Sequence, residues 1–325
     1  MANWNQAMEK REILWAGFDV GGTNIKAGLV NSSGEIVAWR SIATGRDKEP
    51  RAVFARLRRL SDEMLAAGQV PSGQLAGIGV GLPGTIRQQD MLLRRAPNLG
   101  WRDLDLAPHL QQLGVMPVYV DNDAHVAALG EAVSGAAQGY ASFLLITVGT
   151  GLGSAFIYRG EVYRGAGGLG IELGHTCVAA DGPRCTCGNR GCLEVFASAS
   201  ALVDWYREQL AAGGEIPSPG RPRPGAADIF MAAGQGDHLA QEAVNRLISY
   251  LALGLANAAV LLGPEAVVVG GGVGQAGDIL FRPLQEQLDE RLARMGYSPV
   301  PVLPAKLGNR AGVVGAAWGA ARTNL

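Results

Sequence analysis

The stretch LWAGFDVGGTNIKAGLVNSSGEIVAWRS, residues 14–41, decides the fold. Residues 14–20 form an apolar run that stops at Gly21-Gly22-Thr23. Residues 25–30 form a second run, the turn Asn31-Ser32-Ser33-Gly34 follows, and residues 35–41 complete the pattern. Short apolar runs broken by glycine and asparagine turns predict three consecutive strands, a β-meander. Asp19 lies at the end of the first strand. The glycines after it offer backbone N–H groups that no Cβ obstructs, a form suited to phosphate oxygens.

The pattern recurs in the second half. Residues 143–148 read as a strand, 149–153 as a turn, 154–158 as a strand and 161–163 as a third. Thr147, Gly149, Thr150 and Gly151 stand at a turn equivalent to that of Asp19, Gly21, Gly22 and Thr23. A single glycine turn is commonly just a hairpin, but two matched ones, each with a threonine, point to a nucleotide cleft. Between the two repeats, residues 51–67 have helical periodicity with Val53, Leu57, Leu60 and Met64 on one stripe. Residues 77–82 and 115–120 read as strands and 104–113 as helical. Further helices are expected at 199–212, 239–262, 279–294 and 311–322, with a strand at 266–269. PSPGRPRPG, residues 217–225, reads as an exposed loop, because its four prolines cannot continue a helix. The whole order predicts two related α/β domains facing one another.

Composition narrows the function classes. Of the 325 residues, 48% are hydrophobic and 18% charged, as in ordinary globular proteins. With 28 basic and 29 acidic side chains the net charge is −1, so nothing favours nucleic acid or a charged membrane surface as a partner. Residues 1–12 are polar and lack the apolar stretch of a signal peptide. The apolar runs 143–158 and 251–269 are both interrupted, short of the ~18 uninterrupted residues of a membrane span. The expectation is a cytoplasmic protein.

The chain has four cysteines, and three of them, Cys185, Cys187 and Cys192, fall within CTCGNRGCLE, residues 185–194. Cys185 and Cys187 are too close to bridge each other comfortably. Thiolates at this spacing can wrap one ion, with Gly188 and Gly191 letting the chain turn, and zinc takes four sulfur or nitrogen ligands in a tetrahedron. The fourth ligand is expected to be His175, with Cys177 as its competitor. Glu194 closes the motif, and Glu172 precedes His175 by three residues. A rigid metal centre would hold two carboxylates and an imidazole in place, a set suited to the vicinal hydroxyls of a sugar.

These motifs together resemble the ROK family (repressor, open reading frame, kinase), and within it the bacterial glucokinase-like sugar kinases. The matching segments are Asp19-Val20-Gly21-Gly22-Thr23, Gly81-Leu82-Pro83-Gly84, Asn122-Asp123-Ala124, residues 147–153, Glu172-Leu173-Gly174-His175, residues 185–194, Gly270-Gly271-Gly272 and residues 311–316. They stand in family order over almost the whole chain. The resemblance implies the two-domain actin/Hsp70/hexokinase-type ATPase fold, ribonuclease H-like, with ATP and sugar meeting in a cleft between domains. It implies a small domain over 1–122, rejoined by the C-terminal helix 311–325, and a large domain over 123–310. A dimer or tetramer is the family's usual state.

The resemblance also assigns roles. Asp123 would be the catalytic base. Gly84, Asn98, Asn122, Asp123, Glu172, His175 and Glu194 would contact the sugar. ATP would be held by Asp19, Gly21, Gly22, Thr23, Asn24 and Lys26, and by Thr147, Gly149, Thr150, Gly151, Gly271 and Gly272. Asp19 would help hold Mg²⁺, and His175, Cys185, Cys187 and Cys192 a structural Zn²⁺. Position on a strand does not separate Asp121 from Asp123 as the base; the family motif does, because it puts the base after asparagine. The family usually has asparagine two residues after the base, where this chain has His125, a departure that bears on fine substrate preference. Gly272-Val273-Gly274-Gln275-Ala276-Gly277 fits a dinucleotide-binding pattern but lies too near the C-terminus for a second nucleotide-binding half.

The reaction implied is ATP-dependent phosphorylation of a hexose at its 6-hydroxyl, with glucose favoured by the Glu-x-Gly-His form. N-acetylmannosamine, N-acetylglucosamine, allose and fructose are the alternatives, and polyphosphate an alternative donor. A sugar-responsive repressor is the other class. It would need a DNA-binding domain ahead of the first strand, for which the dozen preceding residues are too few.

Overall fold

The computed structural model describes residues 13–114, 117–213 and 224–323. The proline-rich stretch lies outside the described residues up to position 223, as does the polar segment 1–12. In chain order the strands and α-helices begin with β1 (Leu14–Val20), β2 (Asn24–Asn31), β3 (Ile36–Ala43), α1 (Pro50–Ala67), β4 (Leu75–Leu82), β5 (Thr85–Arg87), β6 (Leu92–Ala96), β7 (Trp101–Asp105), α2 (Ala107–Leu110), β8 (Val118–Asn122) and α3 (Asp123–Ser134). There follow β9 (Phe143–Val148), β10 (Leu152–Tyr158), β11 (Glu161–Val162), α4 (Glu194–Ala197), α5 (Ala199–Ala212), α6 (Ala226–Gly234), α7 (His238–Leu262), β12 (Ala266–Gly270), α8 (Asp278–Arg294), β13 (Val302–Pro304) and α9 (Ala311–Arg322).

The chain divides into two compact units. The first comprises residues 1–138, 164–170 and 309–325. Its sheet has the order β3-β2-β1-β4-β8. The meander β1–β2–β3 is antiparallel, and β1, β4 and β8 run parallel. In register, Asp19 pairs with Gly81 and Gly81 with Asp121, so these three stand in one row near the carboxyl ends of adjacent strands. On one face Phe18, Val20, Ile25 and Leu82 are buried in one cluster with Val53, Phe54, Leu57 and Leu60 of α1. Burial of each such side chain stabilises by about 1.5–3 kcal/mol. α9 packs on β1 and β4 and against α3.

The second unit comprises residues 139–163 and 171–308. Its sheet, β11-β10-β9-β12-β13, repeats the winding of the first: an antiparallel meander joined to parallel strands. α7 is preceded by its cap Asp237, whose side chain accepts the Ala240 N–H at 2.7 Å, and is followed by Gly263 in the left-handed region. By length and apolarity α7 could cross a bilayer, but Ala243, Leu247, Leu251 and Leu255 are buried in this unit's core.

Three sequence expectations change. The break assigned at 122/123 falls instead after Gln138, because α3 packs against α9 of the first unit. Residues 164–170 also return to the first unit. The helical segment expected at 104–113 is only α2 and a following 3₁₀ turn, and β7 occupies 101–105. β5, β6 and β7 form a small antiparallel sheet whose strands are too short, and too rich in arginine, to show a clear alternation.

Candidate functional site

In the first unit the carboxyl ends of β1, β4 and β8 deliver three adjacent loops, the usual place for a ligand in an open α/β sheet. The loop after β1 is the Gly21–Gly22–Thr23 turn. It is closed by the Gly21 N–H donating to the Asn24 carbonyl (2.8 Å) and steadied by the Thr44 hydroxyl on the Gly21 carbonyl (2.7 Å). Asp19 accepts from the Lys26 ammonium at 3.2 Å. Gly22 is backed directly by Asn98, whose carbonyl oxygen would lie 2.9 Å from an added Cβ. Asn98 sits in the β6–β7 turn, and its carbonyl accepts from Lys48 (2.9 Å).

The loop after β8 is the Asn122–Asp123 step. Asn122 is the N-cap of α3: its Oδ1 accepts from the N–H groups of Ala124 (2.8 Å) and His125 (3.2 Å). Its Nδ2 donates to the Gly84 carbonyl at 2.9 Å. Gly84 has φ +102°, and a Cβ there would meet the Arg95 carbonyl oxygen at 2.0 Å, so only glycine fits. Asn122 therefore ties the second loop to the third and leaves one amide proton for a ligand. Asp123, the first residue of α3, is half-buried, and its Oδ1 accepts from the Ala124 N–H (2.8 Å).

The structure separates Asp121 from Asp123. Asp121 is buried and accepts from the Tyr119 hydroxyl (2.6 Å), Arg164, the Asn122 N–H (2.8 Å) and His125 Nδ1 (2.7 Å). Burial alone would raise its pKa. The His125 hydrogen bond, the charges of His125 and Arg164 and the Tyr119 hydroxyl outweigh burial and hold it at about 2. A carboxylate so fully engaged cannot take a substrate proton.

In the second unit the glycine turn follows β9. The Gly149 N–H donates to the Gly151 carbonyl (2.9 Å), and the Ala199 N–H to the Gly149 carbonyl (2.8 Å). Gly271, after β12, lies against the Val148 carbonyl, 2.4 Å from where its Cβ would be. Thr147 pairs with Gly153 and Gly270. Thus Thr147, Gly149, Thr150, Gly151, Gly271 and Gly272 gather at the carboxyl ends of β9 and β12. Glu172 and His175 bracket a 3₁₀ turn whose Gly174 abuts the Leu152 carbonyl. Glu194 opens α4, and its Oε2 accepts the Leu152 N–H at 2.9 Å.

The ligand atoms of His175, Cys185, Cys187 and Cys192 lie within 4.8 Å of one another, and Cys177 is outside the group. Cys187 Sγ and Cys192 Sγ are 3.6 Å apart, as are Cys185 Sγ and His175 Nδ1. A tetrahedron with Zn–S near 2.3 Å has edges of about 3.8 Å, so the donor set fits zinc. Burial and the neighbouring thiols push the Cys192 thiol up to about 12, whereas the Asn189 N–H draws Cys187 down.

The first unit thus brings together Asp19, Gly21, Gly22, Thr23, Asn24, Lys26, Gly84, Asn98, Asn122 and Asp123; the remaining expected residues lie in the second. Sequence reasoning passed over Arg164 and Lys48. Each acts on a partner far along the chain, and neither stands in a motif.

Comparison with known proteins agrees with this layout. The ROK family profile matches residues 15–323. A glucokinase of Halalkalibacterium halodurans is 36% identical over 309 residues, covering 94% of each chain. A xylose repressor of Caldicellulosiruptor bescii is 32% identical over 306 residues, covering 92% of this chain and 76% of the repressor. Among solved structures, a ROK family glucokinase from Streptomyces griseus in complex with glucose and AMPPNP superposes with a TM-score of 0.79 at 34% identity, over 95% of this chain and 99% of that one.

Proposed function

The chain belongs to the ROK family, and from that premise we propose that it is an ATP-dependent hexose kinase acting on the 6-hydroxyl, with glucose as its foremost substrate. The observation that carries this reading is the Asn122–Asp123 step at the carboxyl end of β8. It presents a half-buried carboxylate from a capped helix start, at the same end of the sheet as the glycine turn that follows Asp19, with β4 between them.

In this mechanism the hexose 6-oxygen attacks the γ-phosphorus and its proton passes to the Asp123 carboxylate. The bond to the β,γ-bridging oxygen breaks, and ADP leaves with that electron pair. The transition state is loose, so holding the hydroxyl in line matters more than activating it fully. Asn122 uses its remaining amide proton on the sugar, and Asn98, Gly84, Glu172, His175 and Glu194 supply further polar contacts. The N–H groups of the two glycine turns and Lys26 hold phosphate oxygens, with Gly271 and Gly272 beside the nucleotide. Mg²⁺, when bound, neutralises charge on the β- and γ-phosphates; one carboxylate such as Asp19, with substrate oxygens and water, suits it. Zn²⁺, when bound to His175, Cys185, Cys187 and Cys192, is structural and carries no step. We read the enzyme as cytoplasmic and as a dimer or tetramer, after its family.

A sugar-responsive repressor is the second reading, favoured by the likeness to the xylose repressor. The presence of both Asp19 and Asp123 favours the kinase. ADP release from Mg-ATP over a panel of glucose, mannose, fructose, allose, N-acetylglucosamine and N-acetylmannosamine decides between them. Turnover on one or more sugars is expected. Sugar binding without any ADP release would favour the sensor.

A further inference from the structure

The buried cluster around Asp121 takes no part in the mechanism above, yet it directly abuts the Asn122–Asp123 step. Asp121 is 1% exposed and His125 3%. A carboxylate accepts only, so His125 Nδ1 carries the proton that is donated to it. The opposite edge of the imidazole is pressed against Gly170: a Cβ at Gly170 would lie 2.3 Å from Nε2. Gly170 has φ +87°, and its N–H donates to the Arg164 carbonyl at 3.0 Å, closing residues 164–170 into a loop. Arg164 in turn reaches the Asp121 carboxylate and the Tyr119 hydroxyl, the latter at 3.2 Å. The loop is therefore fastened to Asp121 at its start and packed on His125 at its end.

Stability alone does not account for this. Burying a charged pair is commonly no better for stability than well-packed apolar side chains of similar volume. What the cluster does fix is the backbone just ahead of Asp123. The Asp121 carboxylate takes the Asn122 N–H on one side and the α3 side chain of His125 on the other, while Asn122 caps the same helix. The peptide leading into Asp123 is thus held from both directions.

We propose that His125 and Arg164, acting through Asp121, are positioning residues for the Asp123 carboxylate, and that residues 164–170 are the brace through which they act. This rests on the kinase reading. His125 stands where the family usually has asparagine, and the imidazole fills the gap between Asp121 and Gly170 that the shorter amide would leave.

The test uses the full chain with its native metal content. Arg164→Ala and His125→Ala are assayed by kcat and KM for glucose and ATP, with the number of binding-competent sites counted by calorimetric glucose titration. We expect turnover per competent site to fall by roughly 10–100-fold with each KM within about threefold of the parent, and Arg164→Lys to recover part of the loss. Turnover per competent site equal to the parent's would overturn the proposal, because a purely structural cluster changes only the fraction of competent protein. Tyr119→Phe removes one hydroxyl and keeps the ring, so it covers the case in which Arg164→Ala does not fold. It should lower kcat severalfold at unchanged KM, and an unchanged kcat counts against the proposal. Asp123→Asn and the parent are run alongside: retained turnover in Asp123→Asn removes Asp123 as the base and with it the cluster's positioning role, whereas a parent that binds sugar but releases no ADP fails the kinase reading itself, whatever the cluster variants show.

Discussion

The Glu194 carboxylate and the backbone N–H of Leu152 are joined by a 2.9 Å hydrogen bond, so the residue that ends the cysteine knuckle also holds the glycine turn after β9. Gly151 is bare on that side, and a Cβ there would stand 2.4 Å from the same carboxylate oxygen. The motif expected to serve the sugar thus also shapes the loop expected to serve phosphate. Glu194→Ala should raise the KM for ATP as well as for glucose. A charge-assisted bond of about 1.5–3 kcal/mol corresponds to roughly 10–150-fold. Steady-state kinetics with each substrate varied in turn checks this; a change confined to glucose would limit Glu194 to the sugar.

Asp123→Asn should keep glucose affinity within a few-fold while kcat falls by roughly 10²–10⁴, the usual contribution of a positioned general base. Calorimetric glucose binding and ADP release on the same preparation give both numbers. Near-normal turnover would remove Asp123 from its role.

Gly84→Ala should be destabilising by about 2 kcal/mol or more. It places a Cβ in the left-handed region and against the Arg95 carbonyl, and shifts the carbonyl that Asn122 uses. A thermal melt measures the loss; an unchanged Tm would mean that the loop relaxes freely.

Cys185→Ser should lose zinc stoichiometry and glucose affinity together, because the knuckle leads directly into Glu194. Metal analysis and glucose titration on one sample test the coupling. Full glucose affinity in metal-free protein would refute it.

The Asp121 carboxyl, held at about 2 against an ordinary value near 4, predicts an acid-side loss of stability. The sign follows from the lowered pKa: the contribution is complete above about pH 4 and disappears as pH falls towards 2. Its size is about 2–3 kcal/mol, at about 1.4 kcal/mol for each tenfold change in proton affinity. The groups facing it are Tyr119, His125 and Arg164. Asp121→Asn should flatten the fall in Tm between pH 4 and 2 relative to the parent. An equally steep fall would assign the effect to other carboxylates.

Much of this could be read from sequence because it is local. The meander 14–41, the α1 stripe of Val53, Leu57, Leu60 and Met64, and the spacing of Cys185, Cys187 and Cys192 all depend on neighbours within a few turns. Periodicity could not reveal α3, which opens on polar residues and is buried almost continuously from Ala124 to Glu131 rather than along one stripe, or the β5–β7 sheet with its exposed arginines. The choice between Asp121 and Asp123 was beyond strand parity, because β8 ends between them and one of the two turns into a buried cluster. Arg164 reaches Asp121 across 43 positions, and Lys48 reaches Asn98 across 50, so no local pattern marks either contact.

The return of α9 to the first sheet also sets an order of events during synthesis. Residues 13–138 leave the ribosome before the second unit, but the face of their sheet that α9 covers stays bare until residues 311–322 emerge. At about 5–20 residues per second that interval is on the order of 10–40 s. Every residue of the second unit is made within it, together with the brace 164–170 of the first. The second unit can close on itself while the first is still incomplete, and the first must wait as a nascent chain in need of protection.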